Sequence, residues 1–492
     1  MKTWKIFPLF LLFVISCSKE NPVTEPVANN RTKDITIIYT NDEHGWMEAT
    51  SKSGGAAGMT GLWKQNEGYA ENKPYLVLSG GDMWSGPAIS TWFYGKSMAE
   101  VMNKMNYCAA AVGNHEFDFG FDKLLERKSQ SKFPFLSANI KNKSNGGYPD
   151  FALPYIIKEV NGVKVGIIGL TSIYVTSIIF PKYLENLEFI PYQEALNTVV
   201  PKMKSEGAEL LIIISHMGEV EMRSLAPVAK QMGISFIAGG HTHEAISEVV
   251  NGVTIIESGS NMVSYSVASI HFDAFADTVI SISAGLKNNT GGNPDSDIKN
   301  IVDNWQVQTN NELSRVIGYT NSNIGQGSSS MYNLITDSWL FSFPYADISI
   351  SNRGGVRQSI PAGNITLASI VGILPFDNEI VELQLTGSQL ISALDSIKSE
   401  VFVGGITTIG GYTLKDGSPV NLSGIYRVLT TDFYYSVTQI LQQYDNSPVY
   451  YKVNWRQPVI DWINSLNTTA GNPLDNYIDK TPRQSMLYAY YY

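Results

Sequence analysis

Gly113-Asn114-His115-Glu116-Phe117-Asp118 sets an amide, an imidazole and a carboxylate directly after the apolar run from Cys108 to Val112. A turn would use the glycine and the asparagine, but it has no need of a histidine followed three positions later by an aspartate. Imidazole beside carboxylate is a pairing for handling protons, because the carboxylate fixes which ring nitrogen carries the hydrogen. The chain has six histidines, and His44, His115, His216, His241 and His243 all follow closely on apolar runs, as do Asp42 and Asp82. Together with Asn114 these are nitrogen and oxygen donors without a thiolate. Such a set suits Zn²⁺, Mn²⁺, Fe or Mg²⁺ rather than a cysteine-held structural zinc. With His115 set aside for another role, Asp42, His44, Asp82, Asn114, His216, His241 and His243 still exceed what a tetrahedral ion needs. Two ions sharing a carboxylate is the economical arrangement. His271 lies outside the pattern and reads as an ordinary residue.

Something must carry these side chains to a common place. Residues 35–39, 75–78, 108–112, 210–214 and 234–237 read as β-strands, each leading into a polar loop that holds one or more of the candidate ligands. Helical stretches over 97–107, 121–130 and 192–206 lie between them, so the order is largely strand followed by helix, an α/β pattern. Open α/β sheets bind ligands at the carboxyl ends of their strands, which is where all of these residues fall. Residues 163–169 and 253–257 read as further strands that complete the core and bring no ligand. A shift to Asn, Gly, Asp and Pro over 288–297 marks a domain boundary. After it, Ile298, Ile301, Val302 and Trp305 fall at helical spacing, with Asp295 and Asp297 suited to the first turn. The division is therefore 34–288 for a first domain, 289–315 for a linker with a connecting helix, and 316–492 for a second domain, with strands at 346–351, 380–385 and 426–431. In that second unit, Asn352-Arg353-Gly354-Gly355-Val356-Arg357 lets the backbone approach a ligand that Asn and Arg side chains can grip.

The 492 residues are 43% hydrophobic and 16% charged, enough for two or three cored domains. A net charge of -10, without any basic run, argues against nucleic acid as a partner. An acidic protein that handles anions must bring positive charge in locally, and metal ions are the usual means. At the N-terminus Lys2 and Lys5 precede an apolar run from Ile6 to Ile15, too short to span a bilayer and suited to export. Val14-Ile15-Ser16-Cys17 resembles a bacterial lipobox. That makes 1–17 a lipoprotein signal peptide, Cys17 the lipid-bearing anchor to the envelope (periplasmic or cell-surface), and 18–33 a tether. Cys108 is then the cysteine left over, which rules out an intramolecular disulfide and reads as core.

Asp42-Glu43-His44, Gly81-Asp82, Gly113-Asn114-His115-Glu116, His216 and Gly240-His241-Thr242-His243 resemble, in that order, the signature of the calcineurin-like metallophosphoesterases. The whole chain resembles the bacterial 5′-nucleotidase family, which joins such a domain to a C-terminal nucleotide-recognition domain. The resemblance implies a metallophosphatase-type β-sandwich flanked by helices (αββα), followed by the connecting helix and a smaller mixed α/β domain. It makes Asp42, His44 and His243 ligands of one divalent ion, Asn114, His216 and His241 ligands of another, and Asp82 the bridge. Many relatives have Gln at the position of His243. Two ions sharing a water bring its pKa from about 15.7 to near 7, which supplies a nucleophile for attack in line on phosphorus. Asn114 and His115 would stabilise charge on the phosphoryl oxygens, with Asp118 holding the imidazole. Asn352 and Arg357 become substrate contacts, while Phe376 and Phe433, in Leu374-Pro375-Phe376 and Thr431-Asp432-Phe433, sandwich the base.

Two departures stand out. Relatives carry an arginine shortly before the pair matching Asn333-Leu334, where this chain has Gly327-Ser328-Ser329-Ser330. They also follow the second phenylalanine with Gly-Gly-Asp, where Phe433 is followed by Tyr434-Tyr435-Ser436-Val437. Arg353 and the tyrosines are the groups available to compensate. The expected activity is hydrolysis of nucleoside 5′-monophosphates. The alternatives are a 2′,3′-cyclic-nucleotide phosphodiesterase/3′-nucleotidase or nucleotide-sugar hydrolase with the same centre, and a nucleotide-binding lipoprotein without catalysis.

Overall fold

The computed structural model describes residue 1 and residues 31–484. The expected signal segment, Cys17 and the tether up to residue 30 lie outside the described residues. The strands read from the sequence are almost continuous apolar runs because they are buried on both faces. Leu210–His216, for example, is buried along its entire length. They form two six-stranded sheets. The first runs, edge to edge, Thr278–Asn288, Ser264–Asp273, Thr32–Thr40, Tyr75–Ser79, Ala109–Ala111, Phe135–Leu136. The second runs Ala245–Val250, Val253–Ser258, Phe236–Ala238, Leu210–His216, Val163–Thr171, Tyr155–Val160. Inner strands pair in parallel, as in Ile37 opposite Leu76 and Ile167 opposite Ile212, so their carboxyl ends emerge on the same side.

Alternation along each strand explains the layering. Ile35, Ile37 and Tyr39 meet Ile212 and Ile214 between the sheets. Ile38 and Val77 point outward to the helices Gly55–Asn66 and Lys96–Lys104, and Ile213 and Leu211 to Tyr192–Ser205 and Glu219–Gln231. The result is the αββα sandwich. The helices Gly55–Asn66 and Glu219–Gln231 and the strands Ala245–Val250, Ser264–Asp273 and Thr278–Asn288 add to the elements expected from the sequence. Three glycines weaken the first helix's signal, and its buried Met59, Leu62 and Trp63 hold it by packing instead.

The connecting helix is Ser296–Leu313. Asp295 caps it, accepting from the backbone N–H groups of Asp297 (3.1 Å) and Ile298 (3.0 Å). Ile298, Val302 and Trp305 pack on the first domain, and the Trp305 indole donates to Glu100 at 2.9 Å. At its far end Leu313 sits between Ala88 of the first domain and Val371 of the second. The second domain is a five-stranded sheet in the order Val401–Gly404, Ile348–Asn352, Ile425–Thr431, Glu379–Thr386, Val449–Asn454. Helices Ser329–Ser342 and Gln457–Leu466 cover one face and Gly387–Ile397 the other. Among the described residues no helix is long and apolar enough to cross a membrane.

Candidate active site

The loops at the carboxyl ends of the parallel strands converge. Asp42, His44 and His243 bring donor atoms within 4.8 Å of one another, and so do Asp82, His216 and His241. A further group, His44, Asp82 and His115, links them, sharing His44 with the first and Asp82 with the second. Asp82 Oδ2 lies 3.1 Å from His216 Nε2, which is 3.2 Å from Asn114 Oδ1. Five of these residues hold left-handed backbone: Asp42 (φ 51°), His44 (45°), Asp82 (58°), His241 (81°) and His243 (60°). Non-glycine residues adopt that region at a cost, and it persists here because the surrounding hydrogen bonds dictate the loop paths. The amides of Asp42 and His44 donate to the carbonyls of Gly81 and Asp82 at 2.9 Å, zipping two ligand loops together.

Beneath the ligands lie three buried glutamates. Glu116 accepts from the amides of Asp82 (2.9 Å), Met83 (2.9 Å) and Gly113 (2.5 Å), fastening the Asp82 loop to the Asn114 loop. Glu43 accepts from Thr40 and Ser79, and Glu257 from Thr242 and the Glu244 amide. Burial pushes Glu116 up to about 7 and Glu43 up to about 8, with Asp82 and Asp42 respectively adding to the effect. These three were not picked out from the sequence. Glu43 and Glu116 stand inside the motifs that carry the ligands, and Glu257 is a lone carboxylate at the end of an apolar strand, so all three positions held a signal.

His115 is oriented from two sides. Its Nδ1 faces Asp118 Oδ2 at 2.8 Å, and its backbone N–H donates to Asp82 Oδ1 at 2.8 Å. Burial pulls this imidazole down, but Asp118 and Asp82 outweigh it and leave it above the usual histidine range. Its Nε2 lies 3.3 Å from Arg357 Nη2 of the second domain, and its ring stacks on Phe376 at 5.6 Å and 18°. The two domains enclose a cavity of about 340 Å³ lined by Asp82, Asn114, His115, Asp118, His241 and His243 on one side and by Asn352, Arg357, Phe376 and Phe433 on the other. All four substrate-side residues expected from the sequence thus face the ligand cluster. Trp455 and Arg456 fix the Phe376 loop by donating to its carbonyl at 2.7 and 2.9 Å.

Arg353, Tyr434 and Tyr435, the groups available to compensate for the two departures, do not line this cavity. Arg353 turns away, its guanidinium 5.1 Å over the Tyr332 ring, beside Phe402 and Arg483. Tyr434 and Tyr435 are buried in the second domain's core. In a 3-10 turn and a helix, respectively, alternate residues point apart, so neighbours in a motif need not share its ligand.

Residues 35–245 match the calcineurin-like phosphoesterase family and residues 306–477 the 5′-nucleotidase C-terminal domain. The chain belongs to the 5′-nucleotidase family. It is 26% identical to a 5′-nucleotidase of Vibrio cholerae, over 86% of this chain and 87% of that one. It is 22% identical to the cell wall protein Lmo0130 of Listeria monocytogenes over 82% of this chain, and spans 63% of that protein's length. In fold it matches the crystal structure of a 5′-nucleotidase precursor from Thermus thermophilus with a TM-score of 0.78, 21% identity, and coverage of 93% of this chain and 100% of that one. As a member of this family the chain is a metal-dependent phosphohydrolase, and its phosphoesterase domain is of the kind that uses two divalent ions.

The donor set fits such ions. His44 Nδ1 lies 3.1 Å from the Ser85 carbonyl and His216 Nδ1 2.9 Å from the Gly80 carbonyl, so both rings carry hydrogen on Nδ1 and turn a lone pair inward from Nε2. Those lone pairs face other acceptors. His44 Nε2 is 3.0 Å from His243 Nε2, and His216 Nε2 confronts the oxygens of Asp82 and Asn114. Asp42 Oδ1 is buried without a hydrogen-bond partner, 3.3 Å from His243 Nε2. Acceptor against acceptor in a buried place calls for a cation. A proton is the substitute: burial pulls His216 down, yet Asp82 overrides it and lifts it to about 10.

Proposed function

We propose that this protein removes phosphate from nucleoside 5′-monophosphates outside the cytoplasm. The observation that carries the reading is the meeting of Arg357 with His115 in a cavity lined both by Asp82, Asn114 and His241 and by Phe376 and Phe433. Arg357 Nη2 and His115 Nε2 lie 3.3 Å apart on the cavity wall, so a guanidinium and an imidazole can grip the same ligand group together, and a phosphate is an anion of suitable chemistry. Asp42, His44 and His243 would hold one ion, Asn114, His216 and His241 the other, and Asp82 both. When bound, the pair supplies an activated water and a Lewis acid for the phosphoryl oxygens.

The protein's own groups do the rest. Asp118 keeps hydrogen on His115 Nδ1 and favours the charged ring, so that Nε2 can donate to a phosphoryl oxygen as charge develops. Asn114 offers its amide nitrogen to the same oxygens while its Oδ1 stays turned to His216. Arg357 anchors phosphate from the second domain, Asn352 Oδ1, buried without a partner, is available to a hydroxyl or amino group, and Phe376 and Phe433 present ring faces to a base. The relatives support nucleotides as the substrate class. The test is hydrolysis by metal-stripped protein reloaded with Mn²⁺, Zn²⁺ or Mg²⁺, followed as phosphate from AMP, as UMP and glucose 1-phosphate from UDP-glucose, and as the ring-opened monophosphate from 2′,3′-cyclic AMP. AMP is expected to give the highest kcat/KM, and a higher value for either other substrate would overturn the assignment.

Export and a lipid on Cys17 complete the proposal, on the strength of the lipobox-like Val14-Ile15-Ser16-Cys17 and of relatives that include a cell wall protein. Cys17→Ser should move the protein from the membrane to the soluble fraction. Unchanged membrane association would exclude the anchor.

A further inference from the structure

One wall of the cavity comes from a segment that no motif singles out. After strand Val163–Thr171 the chain runs through two short 3-10 turns, Tyr174–Ser177 and Pro181–Tyr183, before helix Tyr192–Ser205. Val175 and Ile179 are buried in the first domain's outer core and pin this segment in place. Ile178, Phe180 and Tyr183 face the cavity. Pro181 restricts the residue before it, and Phe180 accordingly has φ -58° and ψ 119°. Its ring is braced by Tyr183, centroids 5.9 Å apart, and by Lys182, whose Nζ lies 4.1 Å from the centroid. Its ring also meets that of Phe433 of the second domain, centroids 5.9 Å apart at 66°.

We infer that Phe180 is a specificity-determining residue: with Phe433 it forms an edge-to-face aromatic corner, built from both domains, that receives the planar ring of the substrate. The inference rests on the nucleotide reading and deepens it. Aromatic rings at 4.5–7 Å and near-perpendicular orientation attract one another, and a base offers both a face and an edge to such a corner. A braced ring loses little freedom when a ligand arrives, so its contact energy is realised in binding. The corner also ties the two halves of recognition together. The juxtaposition that carries Arg357 to His115 is the one that carries Phe433 to Phe180, so a ring and a phosphate on the same substrate are gripped by a single arrangement of the domains.

The test compares AMP and UMP with glycerol 3-phosphate, which has a phosphate and no ring, in the wild type, Phe180→Ala, Phe180→Leu and Phe433→Ala, all loaded with metal. Phe180→Ala and Phe180→Leu are expected to lower the ratio of kcat/KM for nucleotide over glycerol 3-phosphate about 2- to 10-fold, through KM. Combined with Phe433→Ala the losses should be less than additive, since each ring is the other's partner. Phe180→Leu keeps the bulk without the aromatic face, so it separates recognition from folding. An unchanged ratio in both Phe180 variants, or an equal loss for all three substrates, would overturn the inference while leaving the nucleotide reading intact. A wild type that does not favour AMP over glycerol 3-phosphate would remove the nucleotide reading and this inference with it.

Discussion

His115 and its neighbours divide labour in a way that single substitutions can separate. His115 touches Asp118, Asp82 and Arg357; its Nε2 stands 3.9 Å from Asp82 Oδ2 but nearer, at 3.3 Å, to Arg357 of the second domain, on the wall of the cavity. His115→Ala should therefore keep two ions per chain by elemental analysis while kcat falls roughly 10²- to 10³-fold, the loss expected for a donor aimed at developing charge. Full turnover in a metal-replete His115→Ala protein would exclude that role, and loss of a metal would make it a ligand. Phe376 makes the complementary case. Its ring stacks on His115 and its carbonyl is held by Trp455 and Arg456, so Phe376→Ala leaves the loop anchored and removes a face. KM for AMP should rise by roughly 5-fold or more, the scale of a lost base stack. An equal rise for glycerol 3-phosphate would contradict stacking.

At the scale of elements, the strand ends set the site, and a few close approaches keep it in shape. A Cβ on Gly113 would lie 2.2 Å from Asp82 Oδ1, inside any tolerable contact. Gly113→Ala must displace the Asp82 carboxylate, proposed above to serve both ions, and metal affinity in titrations of stripped protein should fall about 10- to 100-fold, as when a ligand's supporting shell is disturbed. Unchanged affinity would mean that Asp82 is not held by this contact. Much of this was legible in the sequence, because a strand buried on both faces is a plain apolar run and the first polar residues beyond it mark where it emerges. The exchange between Ala109–Ala111 and Asn114 is of this kind. Less legible was whatever owes its place to packing from elsewhere. Ile178-Ile179-Phe180-Pro181 belongs to no motif in the sequence, and only the folded chain shows Phe180 lining the cavity beside the second domain's Phe433. The glutamates look like spare charge until the amides they collect are counted against them, and Arg353 shares a motif with Arg357 but not its direction.

For the whole molecule, the question is how far the metal centre's energetics reach. The apolar clusters of the first domain, around Ile37 and Ile212, around Trp63 and around Ile213, share no residue with those of the second, around Trp339 and around Leu394. Among the described residues, what stands between them includes a small cluster of Ala88, Leu313 and Val371, the Arg357–His115 contact, the stack of His115 on Phe376 and the ring corner of Phe180 with Phe433. Such a junction is too slight to make two separately cored domains melt as one. Ions bound by the first domain's loops stabilise its folded state alone. At a hundredfold excess over Kd the gain is about 2.7 kcal/mol for each ion, and each such increment in a domain of this size raises Tm by roughly 5–10 °C. Calorimetry of stripped and reloaded protein should therefore show two transitions, of which one moves up on reloading while the other stays. His216, drawn to Asp82 by a proton when no cation intervenes, limits how far the stripped domain loosens, so the shift should be larger above pH 10, where that proton is lost, provided the fold survives there. The sign follows from linkage: the folded-state value of about 10 lies above the ordinary histidine value, so the proton's contribution is full below the ordinary value and fades as pH rises through the folded one. Transitions that move together by the same amount would show that the junction couples the domains more tightly than its few contacts account for, and a stripped protein with unchanged Tm would deny that the clustered donors hold ions at all.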